Sequence, residues 1–396
     1  MSILSRHRPA RLLSAAARRL PEILDDLKLL VECESPSAAP AALHACADRM
    51  EGLVLTRVGR RVEWRGEELP HLRWRWGGPA NRVLMLTHFD TVWPLGTLAD
   101  FPFSHEDGVV RGPGSFDMKA GIVIAVHALA VLREVDGDGA LDGICLLSTA
   151  DEELGSGGSR PLIEKEAAGC RAALVFEGAG VDGALKTARK GTSHYVLRVH
   201  GKASHAGLEP ERGVNSALDA SRLTIAAAEL SDPARGTTVT PTLVTAGTSR
   251  NTVPDLAEIS LDVRAADPDE QRRVDDALRR LVAEPSPIGC GIELVGGPNR
   301  PPMTGRTSAA LYATARRVNR ALDLPELTQV SVGGGSDGNL TAALGIPTLD
   351  GLGAVGGGAH TREERVSPDR LVDRVALVAA LLAELLDHPT TGDDRG

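Results

Sequence analysis

The run Asp151-Glu152-Glu153 sets three carboxylates side by side, directly after the apolar stretch Ile144 to Thr149. Adjacent carboxylates repel one another, and they are costly at the end of a buried strand. A bound cation reverses that cost by supplying the missing positive charge. A solvated helix start is the other reading. Asp151 would then be the N-cap and the glutamates would fill the first turn, where the helix dipole favours them. The segment alone leaves both open.

The same position recurs elsewhere in the chain. His88 and Asp90 follow the apolar run Arg82 to Thr87, and Glu177 follows Ala172 to Phe176. In open α/β sheets, ligands collect beyond the carboxyl ends of the strands. Unrelated surface carboxylates have no reason to share that position. Histidine and carboxylate ligands without cysteine suit Zn²⁺ or a similar divalent ion. Candidates in this number suggest a pair of ions bridged by a carboxylate; such ions sit about 3.5–4 Å apart and polarise a shared water. Glu152 and Glu153 could then divide the labour, one holding metal and the other taking a proton from that water. Neighbours on a regular strand face opposite ways, so this division requires a turn. Gly155, Gly157 and Gly158 can make it.

The elements that must position these residues alternate. Helical spacing covers Leu12 to Val31 and is broken at Ser35-Pro36-Ser37. The strand Arg82 to Thr87 precedes the loop Arg111 to Asp117 and a helix from Ala120 to Arg133. The strand Ile144 to Thr149 precedes a helix from Pro161 to Ala168 and the strand at Ala172. Alternating strands and helices predict an α/β fold with a sheet flanked by helices. The pattern changes near Lys186. Strands at Tyr195 to His200, Thr237 to Thr245, Ala257 to Val263 and Ile292 to Val295 interleave with helices at Asn215 to Leu230 and Asp269 to Ala283. That order fits a ferredoxin-like α+β insert. Domain boundaries follow: residues 1–187 plus 302–396 for the main domain, 188–301 for the insert. Helices from Thr307 to Leu322 and from Leu371 to Leu386 close the main domain, and the chain frays from Thr390.

Composition narrows the classes. The net charge is −9, with no basic footprint for nucleic acid. The start is rich in arginine (Arg6, Arg8, Arg11, Arg18, Arg19) but lacks the apolar core of a secretory signal. No run approaches the about 18 apolar residues of a membrane span. The five cysteines are scattered and form no C-x-x-C pair, as in a reduced, cytoplasmic chain. The glycine runs follow no strand in a G-x-G-x-x-G context, which argues against nucleotide binding.

An ordered set of motifs spans nearly the whole chain: His88-Phe-Asp90-Thr-Val92, Gly112-Pro-Gly-Ser-Phe-Asp117-Met-Lys-Ala-Gly121, Asp151-Glu152-Glu153, Glu177, Ser204-His205-Ala-Gly207, Asn251-Thr-Val-Pro254, Gly333-Gly-Gly-Ser-Asp337 and His360. In that order they resemble the M20 family of co-catalytic zinc metallopeptidases, and most of all its glutamate carboxypeptidase branch. The resemblance implies two Zn²⁺ per chain, with Co²⁺ or Mn²⁺ as substitutes. Asp117 would bridge them, His88 and Glu177 completing one ion and Glu153 and His360 the other. Glu152 would be the general base, and Asp90 would orient His88 from behind. A cis peptide is implied after Asp117. The insert would be a lid and dimerisation domain, so that the protein is a homodimer. His205 and Asn251 would hold the scissile carbonyl and its oxyanion, and Arg264 the substrate carboxylate.

Other readings stand beside these. Arg264 can instead pair with Asp262 or Glu258 along its strand, and His205 can be an exposed turn histidine beside Gly207. His127, mid-helix on an apolar stretch, reads as a core histidine. Trp74 and Trp76 read as packing residues. The expected activity is hydrolysis of a peptide or N-acyl amide bond next to a free carboxylate, releasing a C-terminal amino acid such as glutamate. The alternative is deacylation of an N-acyl amino acid. A non-hydrolytic or ligase-like homologue would lack a ligand or the base, and every such position is filled. The sequence departs from the resemblance at Ala120, where glycine is frequent, and in the side-chain-poor loop Val355 to Ala359. That loop bears on specificity more than on activity.

Overall fold

The computed structural model describes residues 7–78 and 80–387; the end expected to fray from Thr390 lies outside them. The chain divides into two compact units, Met1–Ala188 with Gly305–Ser331 and Ser336–Gly396, and Arg189–Thr304 with Val332–Gly335.

The larger unit is built on a six-stranded sheet. Its order is Trp64–Arg65, Leu72–Arg75, Ile144–Thr149, Val83–His88, Ala172–Val175, Thr348–Leu349. The last four strands run parallel and the first two antiparallel. Parallel strands are covered on both faces, which explains their continuous apolar runs. Alternate residues divide between two cores. Val83, Met85, Ile144, Leu146, Ala172 and Leu174 face one, and Leu84, Leu86, Cys145, Leu147, Ala173 and Val175 the other. Fully burying one of the valine, leucine, isoleucine or methionine side chains contributes about 1.5–3 kcal/mol.

The first core is roofed by the helix Ala120–Asp136, every residue of which is buried from Ala120 to Leu132. With the turn before it, this helix spans 22 residues at a mean hydropathy of 1.6, and 94% of its most apolar window is buried in the unit. By length and composition it could cross a membrane, contrary to the sequence expectation. Its burial shows why so apolar a run is needed here. His127 lies on it, fully buried, with Nε2 2.8 Å from Asp26, which also accepts from Arg57. It is the core histidine its setting suggested.

Two helical segments differ from expectation. Leu12 to Val31 is not one helix but two, Arg8–Arg18 and Leu20–Val31. Pro21 has no N–H for the carbonyl four residues back, so the chain restarts with proline in the first turn. The helix Pro40–Val58 was not anticipated. Its punctuation is nonetheless regular, with Pro40 in the first turn and Gly59 in the left-handed conformation (φ 75°) past the end.

The smaller unit is a four-stranded antiparallel sheet ordered Thr238–Ala246, Leu256–Ala265, Gly191–His200, Gly291–Arg300. The helices Ser216–Ala228 and Pro268–Ala283 complete the β-α-β-β-α-β order. Leu223, Ala227, Val274 and Leu278 from the helices meet Tyr195, Leu197, Val199, Ile259, Leu261 and Val263 from the sheet. Asn215 and Asp267 cap the two helices through their side chains. A short ribbon, Ser204–His205 against Thr252–Val253, lies beside this sheet.

Candidate metal centre

Parallel register brings the ends of three strands to one edge. His88 is the last residue of its strand and pairs with Thr149. The neighbouring chain then turns at once: Glu152–Leu154 is a short 3-10 turn that ends on Gly155 in the left-handed conformation (φ 92°). Glu152 and Glu153 are thereby freed from strand alternation. On the other side of His88, Glu177 follows Ala172–Val175 and its carbonyl accepts from Gly353 N (2.9 Å). A Cβ at Gly353 would stand 2.3 Å from Phe176 O, so this approach requires glycine.

His88 is 2% exposed. Its Nε2 stands 3.4 Å from both Asp117 Oδ1 and Glu177 Oε1. Its Nδ1 faces the backbone oxygen of Asp90 at 3.1 Å and the Asp90 carboxylate at 3.4 Å. His360 Nε2 stands 3.2 Å from Asp117 Oδ2 and 3.3 Å from Glu153 Oε1. The Asp117–Met118 peptide is cis. His360 has a φ of 62°, a left-handed conformation uncommon for a residue with a side chain.

Asp90 is fully buried and holds more than His88. Oδ1 accepts from Glu152 N and Oδ2 from Glu153 N, each at 3.1 Å, and Ser37 Oγ donates to Oδ2 at 2.7 Å. One carboxylate thus fixes the turn bearing both glutamates and backs the histidine. Asp151 does not face the cluster. Its Oδ2 accepts from Gly158 N and Ser159 N, at 2.8 and 3.1 Å, and holds the following loop.

The donor set fits divalent cations. His88, Glu152 and Glu177 offer ligand atoms within 4.8 Å of one another, and so do Asp117, Glu153 and His360. Glu152 therefore stands with the first cluster. His88 Nε2 and Glu153 Oε1 are buried and hydrogen-bonded to nothing among the described residues, a costly state that an ion relieves. The titration behaviour points the same way. Burial alone would lower the His88 pKa, but Asp117, Asp90 and Glu177 outweigh it and raise it well above the ordinary value. The nearby carboxylates of Asp117 and Glu153 lift His360 to about 10. Burial opposes ionisation of Asp117, yet the two histidines hold its pKa well below the carboxylate range. Burial raises Glu153. These groups stabilise one another only by retaining protons, and a cation is the natural replacement.

The remaining sequence candidates lie in the smaller unit. His205 is exposed, and its Nδ1 accepts from Gly207 N and Leu208 N, both at 3.1 Å. Two backbone donors on Nδ1 leave the ring proton on Nε2, which is then a donor. Asn251 O accepts from Ala206 N (2.9 Å) and Asn251 Oδ1 from Ser249 Oγ (2.6 Å). Arg264 makes a two-pronged pair with Asp262, both contacts at 2.7 Å. Sequence reasoning passed over Ser37 and Glu364, the second of which is taken up below.

A sheet edge that presents two histidine–carboxylate clusters, with one aspartate turned toward both, belongs to the metal-dependent hydrolases. Residues 84–384 match the peptidase family M20/M25/M40, and the chain belongs to that family. It is 29% identical to carboxypeptidase G2 of a Pseudomonas species over 395 residues, covering 96% of this chain and 94% of that one. It is 26% identical to a succinyl-diaminopimelate desuccinylase of Corynebacterium glutamicum over 78% of this chain and 82% of the relative. Among solved structures, an M20 family metallo-carboxypeptidase from Sulfolobus solfataricus superposes with a TM-score of 0.72 at 18% identity, covering 92% and 99% of the two chains. A dinuclear metal-binding M20 peptidase from Bacillus subtilis superposes at 0.68 with 16% identity, covering 93% and 99%.

Proposed function

We propose that this enzyme cleaves a peptide or N-acyl amide bond adjacent to a free carboxylate, releasing a C-terminal amino acid such as glutamate, with two zinc ions at the site. The observation that carries the reading is Asp117, whose two oxygens face His88 and His360 separately. Full-length similarity to carboxypeptidase G2 favours the carboxypeptidase form. Similarity to desuccinylases favours the second reading, deacylation of an N-acyl amino acid.

His88, Asp117 and Glu177 would hold one ion, and Asp117, Glu153 and His360 the other. Bound there, the ions supply Lewis acidity that activates water and polarises the scissile carbonyl. Glu152 takes the proton from the attacking water and returns it to the leaving amine. Asp90 keeps His88 in one orientation and Glu152 in its turn. The His205 Nε2–H and Asn251 bind the carbonyl oxygen as it gains charge. Arg264 receives the substrate carboxylate, for which it must give up or share Asp262.

Glu152→Gln tests the assignment. Loss of a general base costs about 10²–10⁴-fold in turnover, while metal content stays at the wild-type level. Near-wild-type turnover in this variant would remove Glu152 from the role.

A further inference from the structure

The carboxylate of Glu364 is fully buried and accepts four hydrogen bonds. Oε1 receives the N–H groups of Phe116 and Asp117, and Oε2 those of Gly114 and the Trp93 indole, each at 2.9 Å. Four donors match the roughly four lone-pair sites of a carboxylate. Three of them are amides of one turn, and that turn ends on Asp117. Gly114 is left-handed (φ 71°), and amides in such a turn can converge on one anionic oxygen pair.

Glu364 also belongs to the hairpin that carries His360. Gly356 pairs with Val366 and Gly357 with Arg365, and Arg365 and Val366 pair onward with Arg111 and Val110. Glu364 N donates to Thr361 O at 3.0 Å, closing the turn just after His360. One carboxylate therefore ties the loop of Asp117 to the hairpin of His360, whose facing atoms are 3.2 Å apart.

We infer that Glu364 is a positioning residue, which presets the separation of Asp117 and His360 and so prepares the Asp117–Glu153–His360 cluster for a divalent ion. The inference rests on reading that cluster as a metal site. In Glu364→Gln the side chain keeps its size, but an NH₂ group turns toward two of the four N–H donors. Those donors lose their acceptor in a buried place, and the turn carrying Asp117 is released.

The test is a zinc titration against a chromophoric chelator on the wild type, Glu364→Gln and Trp93→Phe, with amide hydrogen exchange on the metal-free proteins. Glu364→Gln is expected to weaken one of the two ions about 10–100-fold, the usual cost of removing a group that orients a ligand. Exchange at Gly114, Phe116 and Asp117 should quicken about tenfold or more, with the helix Ala120–Asp136 unaffected. Lost activity should return at saturating zinc, which a Glu152→Gln variant would not show. Trp93→Phe keeps three of the four donors and should shift both readouts the same way by less; it carries the test if Glu364→Gln does not fold. Unchanged zinc affinity in the variants, beside a wild type that binds two ions, overturns the inference and leaves the metal site standing. A wild type that binds no ion defeats the metal reading itself. Exchange then decides the positioning role, and equal rates at the three amides in wild type and variants overturn it.

Discussion

The Asp117 carboxylate gives one oxygen to His88, at 3.4 Å, and the other to His360, at 3.2 Å. The two histidines are 272 residues apart in sequence and meet at this one side chain. Each histidine also has a second carboxylate neighbour, Glu177 beside His88 and Glu153 beside His360.

Asp117→Asn should therefore disturb both halves at once. Asparagine keeps the shape but has one acceptor oxygen and no charge. Zinc content should fall below that of the wild type. The loss of affinity should exceed the roughly 100-fold that follows removal of an orienting group alone. Full zinc content with unchanged affinity, measured by chelator competition, would mean that Asp117 does not bridge.

Metal affinity should rise with pH. A histidine ligates only when neutral. His360 sits at about 10 in the metal-free protein and His88 is also raised well above its ordinary value. Below about 10, His360 carries a proton that an ion must displace. Affinity should then climb by up to about tenfold per pH unit for each displaced proton and level off as the pH passes the histidine value. Isothermal titration in buffers of different ionisation enthalpy reads the released protons directly. A pH-independent affinity without proton release would contradict the site's electrostatics.

Much of the site was legible because its residues sit at strand ends, where apolar runs stop abruptly at His88, Asp151 and Ala172 to Glu177. The alternation hidden inside those runs was not legible, since both faces of the sheet are covered and every position is apolar. Asp151 heads the run of three acids, yet it turns away to hold Gly158 and Ser159. The sequence offered Arg264 two acids on its strand; Asp262, two residues away on the same face, takes it, while Glu258, six residues away, pairs with Arg198 on the neighbouring strand. Glu364 was invisible for a different reason. Its partner Asp117 lies 247 residues away, and beside Glu363 in a polar loop it carries no periodic or motif signal. The helix Pro40–Val58 had its punctuation in place, and its buried residues Leu43, Cys46, Ala47, Met50, Leu53, Val54 and Val58 follow a helical stripe, but apolar Leu55 on the exposed face blurs that stripe in the sequence.

The smaller unit should pair with a second copy. Its strand Thr238–Ala246 is a sheet edge, with Leu243 60% and Val244 50% exposed. Leu218 and Ile225 are each 63% exposed on the helix Ser216–Ala228, which packs on the same strand. Long apolar edges are templates for pairing unless covered. Sedimentation should give a dimer, and Val244→Lys with Ile225→Glu should give monomers. A monomeric wild type at micromolar concentration would count against the dimer.

The most direct measurement is elemental analysis of the purified chain, paired with hydrolysis of acyl-glutamate and dipeptide substrates before and after chelation. The account expects close to two zinc ions per chain, with hydrolysis lost on chelation and recovered on adding zinc. A chain that binds no metal under any reconstitution, or that hydrolyses these substrates unchanged after its metal is stripped, would contradict it.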